Sequence, residues 1–469
     1  MRRIEAHIGD VCRVCLRRTD GRIQHLRHTQ HRFGNETHDP LLVFDLDASS
    51  GSHQSSSRRS IIADRAAWSP GGRFEQTRRP PAQPTQTFRP FLSPTWHGGP
   101  VNRPTPTHPR VLVIDPAPSE LAVAELEGLA RLGLVPTVNL RRVVDRTVRS
   151  RIERRWDRTD FNGFSAEEIL AAFDRGGGYD ALKCRAGIPL SRTVFEQMTT
   201  DRHEQPLRLV AKAASGLDSF DLDAADELGV TVLSTPGANA GAVAELTIGL
   251  MLDALRGISR RDAALRAGDW GTAVDGIPVR TLSDSRVGLV GSGAIARAVA
   301  GRLVPFGPEV WVHGSPRFTA EQAAHWPAYR AENLRALLTS CDIISVHVPA
   351  TAATAGLIGA RELRWMKPGS VLVNTSRAQV VPEDDLDAAL RDPSCGLSHV
   401  AVDVFATEET SFSSRLASNP HAMLSPHVGG MTSGAMKASS ELLLTEIARF
   451  YANAALPPPP SALRKIPPD

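Results

Sequence analysis

Lysine is nearly absent from this chain. Lys and Arg together number 54 in 469 residues, and almost all are Arg, a bias that reports codon usage more than function. Against 51 acidic residues the net charge is only +3, which gives no case for a nucleic-acid-binding body. Cysteine is scarce and scattered, at Cys12, Cys15, Cys184, Cys341 and Cys395. Such a scatter suggests no disulfide framework and fits reduced thiols. A run of about eighteen apolar residues, which a membrane span needs, is missing, as is an apolar leader core. The chain therefore reads as soluble and cytoplasmic.

What is present is ordinary for folded protein: 41% hydrophobic and 22% charged residues, in a length that suits two or three domains. The charge is uneven. Residues 1–108 are rich in Arg, His, Ser, Thr and Pro, as in RRPPAQPTQTFRP, with little apolar periodicity. Such a stretch cannot offset its ordering entropy by burial, so a low-complexity, disordered extension is expected. Cys12 and Cys15 form a CxxC there, followed by His25, His28 and His31. Zinc accepts these ligand types, but the spacing fits no finger, and no metal site is expected.

From Arg110 the texture changes. RVLVIDP, YDALKCRAG, PLRLVAKAASG and VTVLSTPG read as strands, and SELAVAELEGLARLG and SAEEILAAFDRGGG as helices with Gly stops. An Arg-rich helical insertion falls near 141–157, and residues 243–268 read as one long helical segment. A second series follows: SRVGLVGSGAIARAVAGRL, EVWVHG, CDIISVHVP, GSVLVNTS and SHVAVDVF. Alternating strand and helix predicts parallel sheets covered by helices on both faces. The expected class is α/β.

The second series opens on a glycine turn between strand and helix. Gly291 suits the tight turn and Gly293 a close backbone approach to pyrophosphate. Ala296 supplies the small residue where helix meets strand. A phosphate would sit at the helix N-terminus, where free N–H groups and the dipole favour an anion. The expected cofactor is a nicotinamide dinucleotide. About twenty residues on, where an Asp or Glu would take the ribose hydroxyls of NAD, WVHGSPRF (311–318) has no carboxylate. Ser315 and Arg317 stand there instead and suit a 2′-phosphate, so NADP is favoured over NAD.

Seven motifs then appear in order: SGLDSFDL (215–222), TPGANAGAVAE (235–245), GSGAIA (291–296), HVPATAAT (347–354), VNTSRAQVVPEDDL (373–386), DVFATEE (403–409) and SPHVGG (425–430). Over roughly 109–456 the chain resembles the D-isomer-specific 2-hydroxyacid dehydrogenases, the family of D-3-phosphoglycerate dehydrogenase and glyoxylate/hydroxypyruvate reductase. The resemblance implies two doubly wound parallel-sheet domains, a Rossmann cofactor domain inserted in a flavodoxin-like substrate domain. The substrate domain would comprise 109–237 and a returning helix at 431–456, the cofactor domain 238–430, and a Pro-rich tail 457–469. It also implies a homodimer formed through the helical arm near 243–268.

By motif, the family's reacting trio falls on Arg377, Glu408 and His427. Each residue type suits its task. A planar guanidinium can fork onto a substrate carboxylate and carbonyl. A His can pass a proton to the carbonyl oxygen, and a Glu beside it would favour the imidazolium and orient the ring. Cofactor contacts are implied at Gly291, Gly293, Ala294, Ile295, Ser315, Arg317, Pro349, Thr354, Thr375, Asp403 and Gly429. Substrate contacts are implied at Ser215, Gly216, Arg185 and Arg377. Ala214 and Ser215 replace the usual Gly-Val, and His347 in its HxP turn is expected to be structural. The expected activity is an NAD(P)-dependent 2-keto acid reductase of the hydroxypyruvate or glyoxylate class. A short-form D-3-phosphoglycerate dehydrogenase is the alternative enzyme, since the chain ends near the last helix. A non-catalytic, corepressor-like cofactor binder is the alternative of another class.

Overall fold

The computed structural model describes residues 107–453 except 163–164, 272–279, 316–317 and 409–410, together with the backbone of four short strands nearer the N-terminus. Those four form two antiparallel pairs, Ile4–Ile8 with Cys12–Leu16 and Val43–Leu46 with Arg59–Ile62. They belong to a unit, Met1–Phe88, separate from Arg89–Asp469. The disordered extension expected for the N-terminus, the Cys12, Cys15, His25, His28 and His31 side chains, Arg317 and the Pro-rich tail lie outside the described residues. Among the described residues no helix is long and apolar enough to cross a membrane.

The first sheet has six strands: β1 (Arg110–Val113), β2 (Val135–Asn139), β3 (Asp157–Thr159), β4 (Ala181–Cys184), β5 (Leu209–Lys212) and β6 (Thr231–Leu233). They lie in the order β6-β5-β4-β1-β2-β3, all parallel. Without the short edge strand β3 this is the flavodoxin-like order. Along β1, Val111 and Val113 enter one core, while Leu112 and the next residue, Ile114, enter another on the opposite face. Both faces are therefore covered, which is why the strands read as continuous apolar runs. The C-terminal helix Ser433–Asn453 returns to this sheet. It buries Leu443, Ile447, Phe450 and Tyr451 in the same core as Val111, and the Tyr451 hydroxyl donates to Asp180 Oδ2 at 2.5 Å.

The second sheet has seven strands: β7 (Arg286–Val290), β8 (Glu309–His313), β9 (Tyr329–Arg330), β10 (Ile343–Val346), β11 (Ser370–Asn374), β12 (Leu397–Val402) and β13 (Ala422–Leu424). Its order, β9-β8-β7-β10-β11-β12-β13, is parallel throughout. The order reverses at β7, between β8 and β10, which is the topological switch point where such sheets bind ligands. Val371 and Val373 face one core and Leu372 the other.

One expectation needs correction. Residues 243–268 are not one helix: Ala240–Arg256 ends at Gly257, whose φ of 59° and ψ of 40° are left-handed, and Ile258–Arg266 starts afresh. Glycine adopts that conformation without a Cβ clash. The first helix buries ten of its residues, the second none.

Candidate active site

The loop after β7 is shaped for close approach. Gly291 has φ 115°, and a Cβ there would drive into the His347 carbonyl and lie 3.1 Å from Val348 Cγ1. Gly293 is the N-cap of helix Ala294–Leu303 and has open space where its Cβ would be. That helix has no side-chain cap and no acid in its first turn. Its N–H groups, among them those of Ala294 and Ile295, suit a pyrophosphate. Ala296 is fully buried against the sheet. This cradle fits a dinucleotide, because its backbone conformation and its uncapped donors are what a phosphate needs.

Beyond β8 the chain turns through Gly314 and Ser315, whose carbonyl accepts from Phe318 N at 2.8 Å. A Cβ on Gly314 would meet Phe318 Cβ and Ser292 Oγ, each at 2.7 Å. A carboxylate side chain at this position would force the loop to move. Pro349 and Thr354 close the turn after β10, with the Thr354 hydroxyl donating to the Pro349 carbonyl at 2.5 Å. His347, at the head of that turn, is buried and bonded to Ser345 Oγ through Nε2 at 2.9 Å. Burial lowers its pKa to about 3, so the ring is neutral and structural.

Arg377 follows β11 on a loop braced by Asn374, which is buried at the strand end. Asn374 Oδ1 accepts from Ser376 N (3.0 Å) and Oγ (2.9 Å), and Nδ2 donates to the Arg377 carbonyl at 2.9 Å. The guanidinium donates from Nε to Asp218 Oδ2 at 2.8 Å and from Nη1 to the Ser376 carbonyl at 2.7 Å. Asp218 comes from the loop after β5, so Arg377 joins the loops of the two sheets. Gly216, two residues earlier, lies against the same guanidinium: a Cβ there would fall onto Nη2.

The third segment is the loop after β13. Asp403, fully buried at the end of β12, accepts from Val428 N at 3.0 Å and Gly429 N at 2.9 Å. These bonds help hold His427 at φ 52°, a left-handed backbone that costs on the order of 1 kcal/mol for a non-glycine residue and often marks a functional site. His427 Nδ1 donates to Glu408 Oε2 at 2.6 Å, and Glu408 Oε1 accepts from Phe405 N at 3.0 Å. With Nδ1 engaged, Nε2 is the nitrogen left for proton transfer. Burial alone would push the Glu408 carboxyl up. The His427 bond, the Phe405 N–H and the charges of His427 and Arg377 outweigh it, so its pKa is lowered. The Arg377 charge is therefore close enough to act on this pair.

The remaining expected residues divide. Thr375 Oγ1 lies 3.1 Å from Thr247 Oγ1, tying the end of β11 to helix Ala240–Arg256. Ser215 Oγ donates to the Thr235 carbonyl (3.3 Å) and to Asn239 Oδ1 (3.2 Å). Arg185 is occupied elsewhere. Its Nη2 donates to Glu125 Oε1 and Ser440 Oγ, beside a buried Lys183–Glu125 pair at 2.9 Å, so its guanidinium belongs to a buried network. Sequence reasoning missed Asp218, Asn374 and Asn239, although each lies inside a motif already singled out.

Three comparisons with known proteins give the relatives of this chain. The profile of the D-isomer specific 2-hydroxyacid dehydrogenase NAD-binding domain matches residues 248–429. The glyoxylate reductase of Thermococcus litoralis is 33% identical over 257 residues, covering 54% of this chain and 76% of the relative. The D-3-phosphoglycerate dehydrogenase of Methanocaldococcus jannaschii is 30% identical over 286 residues, 61% of this chain but 52% of the relative. Among solved structures, a glyoxylate reductase from Paecilomyes thermophila superposes with a TM-score of 0.60 at 26% identity, over 76% of this chain and 98% of the other. A dinucleotide cradle at a sheet switch point and an Arg beside a bonded His–Glu pair, in a chain with these relatives, lead to one conclusion: the protein belongs to the D-isomer specific 2-hydroxyacid dehydrogenase family of NAD(P)-binding oxidoreductases.

Proposed function

We propose that the protein reduces a small 2-keto acid of the hydroxypyruvate or glyoxylate class, with NADP favoured over NAD, in the cytoplasm. The observation that carries this reading is the 2.6 Å His427–Glu408 bond within reach of the Arg377 charge. The nicotinamide, when bound, supplies the hydride. Gly291, Gly293, Ala294 and Ile295 would hold its pyrophosphate, with Pro349, Thr354, Thr375, Asp403 and Gly429 shaping the surrounding loops. Arg377 binds the substrate carboxylate through its forked donors, assisted by backbone N–H groups near Ser215 and Gly216. His427 delivers a proton from Nε2 to the carbonyl oxygen, and Glu408 holds the ring by Nδ1. NADP is favoured because Gly314 leaves no room for a carboxylate that would repel a 2′-phosphate. Residues 109–237 with 431–456 form the substrate domain, and 238–430 the cofactor domain. The surface of the second arm helix, with Ile258 and Leu265 exposed, is where two copies pair.

The test is initial rates with hydroxypyruvate and glyoxylate, using NADPH and NADH at matched concentrations. His427→Ala is expected to lower kcat by about 100-fold or more. A His427→Ala protein as active as the parent would overturn the proposal. No turnover of either substrate by the parent would overturn the substrate class.

A further inference from the structure

A missing carboxylate after β8 permits a 2′-phosphate but does not by itself bind it. A cation positioned for that phosphate is present on a strand the sequence motifs did not reach. Arg330 ends the edge strand β9. It pairs with Val312, the penultimate residue of β8, and Ala331 N extends the ladder to the Val312 carbonyl at 2.8 Å. Adjacent parallel strands lie about 4.8 Å apart, so Arg330 stands beside the end of β8, where the adenosine ribose is bound in this topology.

The side chain is held rather than loose. Arg330 Nε donates to the Phe318 carbonyl at 3.1 Å, which anchors it under the turn that follows Gly314 and Ser315. Phe318 itself is buried in the core of the second sheet and packs edge-on to Trp326 at 5.1 Å. The anchor is therefore rigid. With Nε engaged, the terminal nitrogens make no bond to any described residue, which leaves the forked end of the guanidinium for an anion. His313, the last residue of β8, lies within reach of the Arg330 charge: burial first and that charge second lower its pKa, so the ring is held neutral and the cation here is Arg330. The acid of β8, Glu309, sits at the opposite end of the strand and is bonded to Arg286 and Trp311.

The geometry points to Arg330 as a specificity-determining residue that takes the 2′-phosphate of NADP, with Gly314 and Ser315 forming the floor of the same subsite. This deepens the preference for NADP proposed above and depends on it. Phosphate recognition by a backbone-anchored Arg is directional, so loss of the guanidinium should weaken the phosphorylated ligand selectively.

The test is calorimetric titration of the full chain with adenosine 2′,5′-bisphosphate and with 5′-AMP, at one salt concentration, for the parent, Arg330→Ala and Arg330→Gln. Glutamine can keep a donor for the Phe318 carbonyl while losing the charge, and 5′-AMP affinity reports that the adenosine site is folded. The parent is expected to prefer the bisphosphate. Both variants should lose about tenfold to a hundredfold of affinity for it and keep that for 5′-AMP. A parent without preference overturns the NADP reading and this inference together. A parent that prefers the bisphosphate, with variants that keep the preference, overturns the role of Arg330 alone. Equal weakening of both ligands in Arg330→Gln also overturns that role, because it marks a structural effect.

Discussion

Gly216→Ala separates the chemistry of the site from its stability. The glycine's φ is outside the left-handed region, so only space is at stake, and the added Cβ would land on Arg377 Nη2 and 2.9 Å from Asp218 Oδ2. Both are the ends of flexible side chains, so the guanidinium swings away and the backbone stays. The structural cost is that of the Arg377–Asp218 pair. Its partners are 31% and 39% exposed, which limits the loss to about 1 kcal/mol or less and the fall in melting temperature to roughly 4 °C or less. The functional cost is larger, because the displaced group is the one proposed to bind the carboxylate. A charge-assisted hydrogen bond contributes about 1.5–3 kcal/mol, so kcat/KM should fall by about 10- to 150-fold. The assay is NADPH oxidation with hydroxypyruvate across a substrate series, alongside thermal unfolding of the same preparations. A variant with kcat/KM within about threefold of the parent would refute the reasoning, because Arg377 would then not need its present position. A variant that loses activity only in proportion to unfolded protein would refute it equally.

Two further outcomes concern the scaffold. Glu125 is 4% exposed and accepts from Ala117 N, Lys183, Arg185 and Ser440. Burial alone would raise its carboxyl, but the Lys183 and Arg185 charges and the bonds from Lys183 and Ser440 outweigh it and lower its pKa from 4.5 to about 2. A depressed acid stabilises the fold above its unfolded pKa, so this contribution, on the order of 3 kcal/mol, is complete above pH 4.5 and fades as the pH falls toward 2. Glu125→Gln should lower the urea midpoint at neutral pH and flatten its decline below pH 4.5; parallel profiles for parent and variant would contradict this. Gly257→Ala places a Cβ on a left-handed residue, with φ 59°, and should destabilise by about 1 kcal/mol, read by chemical denaturation. An unchanged midpoint would mean that the helix junction relaxes.

Much of the fold was legible because the signals are local. Apolar runs such as CDIISVHVP and GSVLVNTS, each followed by a turn or helix, carry the parallel sheet in their own composition. The glycine turn at 291–293 was legible for the same reason, since a tight turn restricts residue type at the turn itself. Four strands were missed: Val135–Asn139, Asp157–Thr159, Tyr329–Arg330 and Ala422–Leu424. Three of these have only two or three residues, and β9 and β13 lie at the edges of the second sheet, so neighbouring strands decide them more than their own periodicity does.

The site divides in the same way. Sequence alone determined the order of motifs, the residue types at 377, 408 and 427, and the missing carboxylate after β8. Tertiary structure alone decided which of these groups meet. It spent Arg185 on Glu125 and Ser440, set Asp218 against Arg377 from the other sheet's loop, and packed Phe318 and Ser292 where a side chain on Gly314 would have to go. The reason is physical. Periodicity and turn chemistry act over a few residues, whereas the partner of a charge or the space beside a glycine is set by segments far apart in the chain that only packing brings together.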